Sequence, residues 1–407
     1  MRRWFGNDRR KIRSGMAARC LLGLACMGLL AAATLGLDSV ESKAGRDWPV
    51  FRGNPLQTGI AASHLPDDLE ILWKVNVAAN SNPNSDSSFE GTAAIVNGTV
   101  YIGSMDQSLY AIALNSGKVK WRYTSDKDKG IKVGPIKTAV SVRDGFVYAG
   151  DCDGMFHCLN AATGARLWTY ETNAEITSAA SFAGENVLFG ADDETMYCLD
   201  RNGKERWKFK VPGGPVLGTP AIVGDRTFAA GCDSSLHVID TAAGKEIGSP
   251  VNLGGQVGAS VAVLKDNLYV GTMSNQFLAI DWKKGEITWS FTAENHPQSF
   301  YSSAAVTETL VVVGSRDKRV HAFERNTGKE LWSYLTRKNV DSSPVIVDRR
   351  VIVGSLDGNL YVLDLAHGTE LQKLKLGSGI SASPAVAENR LVIGTQDGVV
   401  YCLGAKK

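Results

Sequence analysis

The amino-acid sequence predicts an all-β fold, an eight-bladed β-propeller whose ring is closed by an N-terminal strand. One sequence pattern recurs eight times, and in five copies a turn glycine and a tryptophan follow at a fixed spacing. The last copy lacks a strand, and a matching strand stands upstream of the first copy. The 43 glycines far outnumber the 12 prolines and are spread along the chain, as many tight turns require. An apolar fraction of 44% and a charged fraction of 21% are those of a globular chain.

The repeated pattern is an apolar strand that ends on glycine, a short polar turn and a second apolar strand. We name the glycine that ends the first of these strands the anchor glycine. Its eight copies are Gly103, Gly150, Gly190, Gly231, Gly271, Gly314, Gly354 and Gly394. Successive copies are 47, 40, 41, 40, 43, 40 and 40 residues apart. A unit of about 40 residues with four short strands is typical of a propeller blade.

Turn residues between the predicted strands support this division. Asn97-Gly98 and Asp144-Gly145 fall between the first and second strands of their units. Asp153-Gly154, Asp357-Gly358 and Asp397-Gly398 fall between the second and third strands. Such pairs supply the positive φ angles that tight hairpins need. The sequence after the N-terminal segment shows no helical periodicity.

The fourth strand of a unit is predicted to carry a tryptophan four residues after a turn glycine. Five units have it: Trp121, Trp168, Trp207, Trp289 and Trp332. Gly248 and Gln372 fill this slot in two others. After Leu403 too few residues remain for this strand in the eighth unit, and a matching segment around Trp73, residues 71–75, precedes the first unit. We expect that segment to complete the last blade, because closure removes the free edges of an open ring.

The chain is predicted to have three parts: residues 1–44, an export signal or N-terminal membrane anchor; residues 45–70, an extension; and residues 71–407, the propeller. Residues 20–37 carry no charge and follow a basic segment, which is the layout of an export signal. These 18 residues are also just long enough to span a bilayer, so cleavage and anchoring both stay open. The propeller is therefore expected to be exported, to the periplasm or cell envelope.

The charge of the chain argues against nucleic acid as a partner. The formal net charge is +2, but residues 1–44 hold eight basic and three acidic residues, so the remainder has a net charge of −3. A mildly acidic body lacks the basic surface that phosphate backbones require. Of the seven cysteines, two lie in the signal, and the other five include no CxxC and no adjacent pair. No disulfide framework is indicated.

The repeat register explains residues that would otherwise suggest chemistry. Three cysteines share a slot with alanine and valine, which marks them as small buried residues: Cys158, Cys198 and Cys402. Three histidines fill a slot that tyrosine fills in other units, which argues against a metal site: His157, His237 and His321. An aspartate three residues after the anchor glycine recurs in six units and is interpreted as a turn residue. We therefore predict no catalytic, cofactor-binding or metal-binding residue.

These blades resemble the repeats of the pyrroloquinoline-quinone (PQQ) dehydrogenase superfamily. The resemblance rests on the anchor-glycine pattern, the Gly-x-x-x-Trp that follows it and the opening Asp-Trp-Pro-Val-Phe-Arg-Gly-Asn at 47–54, and it covers about residues 47–407. The superfamily includes quinoprotein dehydrogenases and a cofactor-free, BamB-like branch, and the second group is closer in length and blade count. The resemblance implies that six tryptophans dock neighbouring blades together: Trp73, Trp121, Trp168, Trp207, Trp289 and Trp332.

The function that the resemblance implies is a non-catalytic scaffold for protein–protein interaction in the cell envelope. Its partners would be envelope proteins such as β-barrel assembly components, and it would hold no cofactor. The alternative is a PQQ-dependent oxidoreductase, but many such enzymes hold the quinone against a disulfide between adjacent cysteines and use Ca²⁺, and this chain has no such pair. A third reading is a sensor or small-ligand binder whose channel is lined by hydroxyls that equally suit packing: Thr92, Thr138, Thr219, Ser303, Ser343 and Ser383.

A partner surface is expected where the repeat is interrupted, in the connections from the fourth strand of one blade to the first strand of the next. Three connections stand out by length or composition: 76–89, 124–137 and 292–301. Exposed aromatic and charged residues on irregular loops suit partner binding, although a solvated rim is the plain alternative. The candidate partner residues are Phe89, Lys127, Lys129, His296, Phe300 and Tyr301.

Overall fold

The computed structural model describes residues 47–77, 86–293 and 297–406. These residues form eight four-stranded antiparallel sheets, so the predicted eight-bladed propeller is confirmed. Among them, no helix is long and apolar enough to cross a membrane. The predicted signal or anchor, residues 1–44, lies outside the described residues.

We number the blades 1 to 8 in the order of their innermost strands. Blades 1 and 2 consist of β2 (Ala94–Val96), β3 (Thr99–Ser104), β4 (Ser108–Ala113), β5 (Val119–Thr124), β6 (Ser141–Arg143), β7 (Phe146–Gly150), β8 (Met155–Asn160) and β9 (Arg166–Glu171). Blades 3 and 4 consist of β10 (Ser181–Ala183), β11 (Asn186–Ala191), β12 (Thr195–Leu199), β13 (Glu205–Lys210), β14 (Ile222–Val223), β15 (Arg226–Ala230), β16 (Ser235–Asp240) and β17 (Val251–Asn252).

The second half of the ring repeats this arrangement. Blades 5 and 6 consist of β18 (Ala262–Leu264), β19 (Asn267–Gly271), β20 (Gln276–Asp281), β21 (Glu286–Thr292), β22 (Ala305–Val306), β23 (Leu310–Gly314), β24 (Arg319–Glu324) and β25 (Glu330–Leu335). Blades 7 and 8 consist of β26 (Val345–Val347), β27 (Arg350–Gly354), β28 (Asn359–Asp364), β29 (Glu370–Lys375), β30 (Ala385–Ala387), β31 (Arg390–Gly394), β32 (Val399–Gly404) and β1 (Glu70–Asn76).

Two faces of the ring follow from this topology. The hairpins between second and third strands, and the connections between blades, lie on one face, which we call the mouth face. The hairpins between third and fourth strands lie on the other, which we call the base face. Middle strands such as β23 are buried on both sides and read as apolar runs, whereas outer strands such as β25 alternate between buried and exposed residues.

The ring closes as the sequence predicts. Strand β1 pairs antiparallel with β32, from Glu70 opposite Gly404 to Asn76 opposite Val399. The pairing is irregular between Ile71 and Trp73. The N-terminal strand thus becomes the outer strand of blade 8, and the first and last strands of the propeller lie in one sheet.

The anchor glycines are required by the close approach of the connection that follows. A Cβ atom on Gly103 would lie 2.1 Å from Cγ2 of Ile136, and one on Gly354 would lie 2.3 Å from Cγ2 of Ile380. These isoleucines are fully buried and belong to the connection that enters the next blade. Seven of the eight anchor glycines meet the connection into the next blade in this way, whereas a Cβ on Gly231 would lie 2.8 Å from the carbonyl oxygen of Pro215. In each unit the backbone approaches too closely for a side chain, which explains why glycine recurs there.

The opening motif of the chain forms a plug at the base end of the central channel. Residues 48–61 form backbone hydrogen bonds of 2.7–2.9 Å with the innermost strands of six blades. Their partners on those strands are Ile95, Val142, Ile222, Val263, Val306 and Ile346. The segment therefore follows the channel wall and ties the blades to one another.

Arg52 fixes the plug to blades 6 and 7. Its guanidinium donates hydrogen bonds to the carbonyl oxygens of Ser343 at 3.2 Å, Ala304 at 3.0 Å and Pro344 at 2.5 Å. Burial lowers the pKa of Arg52 to about 9. A Cβ on Gly59, where φ is 66°, would lie 1.9 Å from Nη2 of this arginine. Glycine is therefore required at position 59, because the guanidinium of Arg52 lies directly against its backbone inside the channel.

Candidate functional site

The tryptophan slot forms the blade junctions of the base face. Each indole N–H donates to a carbonyl of the following blade at 2.8–3.0 Å. The accepting residues, for the tryptophans in chain order, are Leu114, Ala161, Arg201, Thr241, Arg325 and Leu365. Each ring also covers a turn glycine of that blade; for Trp73 this is Gly117, with φ of 71°. This geometry supports the docking role that we propose for the six tryptophans.

The two units without this tryptophan are compensated in different ways. At the junction of blades 4 and 5, where Gly248 fills the slot, Trp282 from the receiving blade packs against Phe228 with ring centroids 5.3 Å apart. At the junction of blades 7 and 8, the amide of Gln372 accepts from Leu69 N at 3.0 Å and donates to Leu69 O at 2.9 Å. Sequence reasoning missed Trp282 because that residue belongs to a turn rather than to the repeated slot.

Two of the candidate partner residues are buried, and the expectation that they are exposed is wrong. Phe89 is 0% exposed and Phe300 is 1% exposed. Phe89 packs against the anchor glycine Gly394: a Cβ added to this glycine would lie 2.3 Å from the Cβ of Phe89. Phe300 packs in the same way against Gly271, where the corresponding distance is 2.2 Å. They fill the packing slot that Ile136 fills in blade 2, so neither ring can meet a partner.

This packing slot was not recognised in the sequence, because the connections between blades differ in length. A signal in the sequence could have found it, because an apolar residue stands three positions before a small or hydroxyl residue that lies just ahead of each innermost strand. Phe89 precedes Thr92 in this way, and Phe300 precedes Ser303. Aligning the units backwards from the innermost strand would have placed both rings in the core.

The connection 124–137 is an ordered hairpin rather than an open loop. Asp126 and Ile131 exchange backbone hydrogen bonds of 2.9 and 2.8 Å. Arg166, the first residue of β9, donates to the carbonyl oxygen of Gly130 at 2.9 Å and so fastens the hairpin tip to the outer strand of blade 2. Lys127 and Lys129 are exposed on this tip, and Lys129 forms an ion pair of 2.9 Å with Asp126.

Tyr301 lies half-buried at the channel mouth. The guanidinium carbon of Arg316 lies 3.7 Å from the centre of its ring. Arg316 is itself held by two hydrogen bonds of 3.0 Å to the carboxylate of Asp341, and the hydrogen bond to Asp341 raises the arginine pKa against the effect of burial. His296 lies outside the described residues.

The mouth is ringed by one residue from each blade connection. The eight residues are Glu90, Lys137, Thr177, Leu217, Gly258, Tyr301, Asp341 and Ser381. Lys137 forms an ion pair of 2.5 Å with Glu175. The pKa of Glu90 is raised, first by burial and then by the nearby charge of Asp86. The ring is therefore polar and of mixed charge, which suits hydrogen bonding more than apolar contact.

Below this ring, hydroxyl groups join the blades in a ladder. Five hydroxyl oxygens each accept a hydrogen bond of 2.7–3.0 Å from a backbone N–H of the preceding blade: Thr219, Ser260, Ser303, Ser343 and Ser383. Thr138 belongs to a different slot and donates to the carbonyl oxygen of Gly150 at 3.1 Å. The ladder thus combines the two roles considered for these positions, since it holds the wall together and lines the channel.

A small cup remains between the ladder and the plug. Its volume is about 170 Å³, Phe51 lies among its lining residues, and the ladder hydroxyls line its wall. Nothing in this cup brings a nucleophile next to a base. Among the described residues, no group of three or more histidine, cysteine or acidic side chains could hold a metal ion.

In blades 6 and 7 the histidine and the tyrosine of the shared third-strand slot both bond to the aspartate of the neighbouring turn. In blade 7 the hydroxyl of Tyr361 donates to Asp357 Oδ2 at 2.7 Å. In blade 6, His321 Nε2 bonds to Asp317 Oδ2 at 2.9 Å and its Nδ1 bonds to Glu330 at 2.7 Å. Burial lowers the pKa of His321, but the two carboxylates outweigh burial and raise it.

The five described cysteines are free, and three of them are buried as expected. Burial raises the pKa of Cys158, Cys198 and Cys402 to about 12 in each case. A thiol with such a pKa is a poor nucleophile and a poor metal ligand near neutral pH. The geometry therefore gives these residues a packing role.

Curated relatives of the chain include assembly factors named BamB, alcohol dehydrogenases and a tetrathionate hydrolase. The outer membrane protein assembly factor BamB of Nitrosomonas eutropha is 26% identical over 220 residues, which are 50% of this chain and 53% of that protein. BamB of Yersinia pestis is 24% identical over 72% of this chain and 77% of that protein. A quinohemoprotein alcohol dehydrogenase of Pseudomonas putida is 30% identical over 42% of this chain. The chain spans about half the length of the Nitrosomonas protein and 26% of the dehydrogenase.

Solved structures share the fold. The crystal structure of BamB from Moraxella catarrhalis matches with a TM-score of 0.66 at 22% identity, over 83% of this chain and 98% of that chain. The quinohemoprotein alcohol dehydrogenase of Comamonas testosteroni matches with a TM-score of 0.73 at 15% identity, over 90% of this chain and 82% of that chain. The family described as outer membrane protein assembly factor BamB matches residues 59–182, 157–247 and 233–407, and the chain belongs to this family.

Proposed function

We propose that this protein is an exported, non-catalytic propeller that binds protein partners in the cell envelope during assembly of outer-membrane proteins. The observation that carries the proposal is the family match, which extends from residue 59 to residue 407. The relatives named BamB supply the process, and the fold supplies a rigid ring on which loops can be presented.

The mouth face is the surface that we assign to partner binding. Its connections differ in length and charge from blade to blade, whereas the base face repeats one docking contact. The hairpin of residues 124–137 is pinned by Arg166 and presents Lys127 and Lys129 to solvent. A loop that is already ordered loses little conformational entropy on binding, which favours a specific interface.

In-cell photo-cross-linking tests this function. A photoreactive amino acid would replace Lys127 in one strain and Lys245 on the base face in another, and captured proteins would be identified by mass spectrometry in intact envelopes. We expect outer-membrane proteins or their assembly factors to be captured from residue 127 and not from residue 245. If neither position captured any envelope protein reproducibly, the proposal would be contradicted.

We also propose that the protein works without PQQ or Ca²⁺. The sequence lacks the adjacent cysteine pair found in many quinoprotein dehydrogenases. Visible absorption and metal analysis of the protein purified from its own envelope would test this, since a stoichiometric quinone together with calcium would move the assignment to an oxidoreductase. Denatured protein from the same preparation is the control for adventitious calcium.

A second candidate function is the binding of a small polar molecule in the cup. It is favoured by the ladder hydroxyls, whose oxygens accept backbone hydrogen bonds but whose hydrogens are given no protein acceptor among the described hydrogen bonds. A ligand rich in oxygen acceptors would suit such a wall. Native mass spectrometry of the freshly purified protein would detect it as a mass that is lost on denaturation.

A further inference from the structure

Six basic residues on the mouth-side rim of blades 6 and 7 form no ion pair with any carboxylate in the described part of the chain. They are Lys318, Arg319, Arg337, Lys338, Lys373 and Lys375. We call them the blade 6–7 cations. Thr336 brings two of them together, because its hydroxyl lies 2.8 Å from the carbonyl oxygen of Lys318 and 2.6 Å from that of Lys338.

The carboxylates beside these cations are engaged elsewhere. Asp317 and Glu330 bond to the two nitrogens of His321. Asp341 holds Arg316 through both of its oxygens. Two further carboxylates accept hydrogen bonds from tyrosine hydroxyls: Asp357 from Tyr361, and Glu370 from Tyr334. The tyrosine hydrogen bonds leave Asp357 and Glu370 negatively charged, but neither carboxylate lies within ion-pair distance of a blade 6–7 cation. The six cations are thus free to meet solvent or a partner.

The corresponding rim of blades 1 to 3 is different. There six basic residues are paired at 2.5–3.4 Å with acidic residues of the same region: Arg122 with Asp106, Lys129 with Asp126, Lys132 with Asp153, Lys137 with Glu175, Lys208 with Glu205, and Lys210 with Glu194. Lys127, at the tip of the hairpin of residues 124–137, is an exception and forms no described ion pair. A cluster of several unpaired cations is thus a local feature of blades 6 and 7, on a body whose net charge is −3 outside residues 1–44.

Two clefts lie on either side of the outer strand of blade 6, β25. The larger one, between blades 5 and 6, has a volume of about 1390 Å³ and includes Lys318, Arg319, Phe291 and Leu335 in its lining. The smaller one, of about 430 Å³, is lined by three cations, Arg337, Lys373 and Lys375, and by Asp357 and Asn359 of blade 7. Leu335, at the end of β25, is 59% exposed.

A replacement within the repeat accounts for the open space. Ser333 stands opposite His321 in the pairing of β24 and β25. In blades 3 and 7 the equivalent position is a lysine opposite a tyrosine, Lys208 and Lys373, whose ammonium groups lie over the tyrosine rings at 5.2 and 5.3 Å. Serine is too short to fill that volume, so blade 6 keeps a cleft where those blades place a side chain.

We propose that the blade 6–7 cations and their two clefts bind an acidic, extended polypeptide segment of a partner protein. Carboxylates of the segment would meet the cations, and an apolar side chain would contact Leu335 and Phe291. The segment is extended because its side chains can then enter both clefts across β25. A lipid bilayer fits this surface less well, because the charges line two clefts and not one plane. The inference rests on the proposed function as a protein-binding scaffold and names the chemistry of one partner.

The test uses the full chain and a fluorescein-labelled peptide of repeated Glu-Leu-Asp units. Binding would be measured by fluorescence anisotropy for the wild type, for Lys318→Glu with Lys338→Glu, and for a matched control, Lys245→Glu with Lys329→Glu. All four lysines are exposed, and Lys329 lies in blade 6 on the base face. We expect the first pair of substitutions to raise the Kd by about tenfold or more and the control to change it by less than about twofold. Binding should weaken between about 0.05 and 0.5 M salt.

The inference would be overturned if the wild type did not bind the peptide or if all three proteins bound it equally. It would also be overturned if the wild type bound phosphatidylglycerol vesicles but not the peptide. A fourth contrary result is that a photoreactive form of the peptide labels residues away from Leu335 and Phe291. The last measurement needs only the wild type, so it stands even where the charge-reversed variant fails to fold. Failure here with continued capture of envelope proteins from residue 127 would leave the proposed function intact. Loss of that capture as well would refute the function itself.

Discussion

On the base face six blade junctions are closed by the same contact, whereas on the mouth face the junctions differ in length, charge and hydrogen bonding. The base contact is an indole N–H on a carbonyl of the next blade together with a ring over a turn glycine. The mouth connections share only a buried apolar residue beneath the anchor glycine, and above that residue they diverge. Between blades 1 and 2 the connection becomes a hairpin, and between blades 5 and 6 it borders an open cleft.

The difference teaches where variation is tolerated. Because the base contacts and the plug hold the ring, residues above the mouth packing slot are released from a structural role. Substitutions on the base face should therefore change stability, and substitutions on the mouth rim should change binding.

The tryptophan slot should dominate stability on the base face. Trp332→Ala should lower the free energy of unfolding by about 3 to 4 kcal/mol, because a large buried ring and its hydrogen bond are both lost. Gln372→Ala, in the equivalent slot of the next blade, should cost only about 1 to 2 kcal/mol, since it removes hydrogen bonds to Leu69 but little apolar area. Urea unfolding followed by tryptophan fluorescence and circular dichroism would compare them. Equal costs for the two substitutions would contradict the comparison.

The plug should come next. Arg52→Ala should lower the free energy of unfolding by about 2 to 3 kcal/mol, because it leaves carbonyl groups of Ala304, Ser343 and Pro344 without their donor. Arg349→Ala is the control, since Arg349 is exposed and its side chain has no described partner. Limited proteolysis should also cut residues 48–61 faster in the Arg52 variant. A variant as stable and as resistant as the control would show that the plug does not tie the blades.

On the mouth face, His321 should make a smaller contribution to the free energy of unfolding, and this contribution should depend on pH. Two nitrogens of His321 that both face carboxylates require an imidazolium, and the pKa of this histidine is raised above its usual 6.5. Its stabilisation, of order 1 kcal/mol, is fully present below about pH 6.5 and is lost as the pH rises through the folded-state pKa. His321→Tyr should imitate Tyr361 and bond to Asp317 without this dependence. The urea midpoint of unfolding would be measured from pH 5 to pH 9 for the wild type and for this variant. If both midpoints changed with pH in the same way, the ion pairs of His321 would contribute nothing to stability.

The repeat made the propeller, its blade count and its closure predictable, because one strand pattern with fixed spacing admits few arrangements. The anchor glycines and tryptophans were found for the same reason. The plug could not be derived, because residues 48–61 pair with six inner strands through backbone atoms and carry no strand pattern of their own. Trp282 was missed because compensation came from the opposite side of a junction.

The candidate site was predictable only in part. Lys127 and Lys129 are exposed, but Phe89 and Phe300 are core residues, because aromatic residues in a long loop were read without their packing register. The blade 6–7 cations were not singled out, since a sequence shows that a lysine is present but not whether an acid pairs with it. Such pairing depends on which carboxylates are already engaged by histidine and tyrosine.

The smallest effect on stability is expected at the hairpin of residues 124–137. Lys127→Glu should change the free energy of unfolding by less than about 0.5 kcal/mol, because the side chain is exposed and forms no described ion pair. The same substitution should nevertheless reduce the recovery of envelope partners in affinity purification under gentle conditions, whereas Lys245→Glu on the base face should not. A hairpin that only shields the rim predicts equal recovery for both. If Lys245→Glu abolished recovery and Lys127→Glu did not, the partner would bind the base face, and the mouth connections would vary because no partner constrains them.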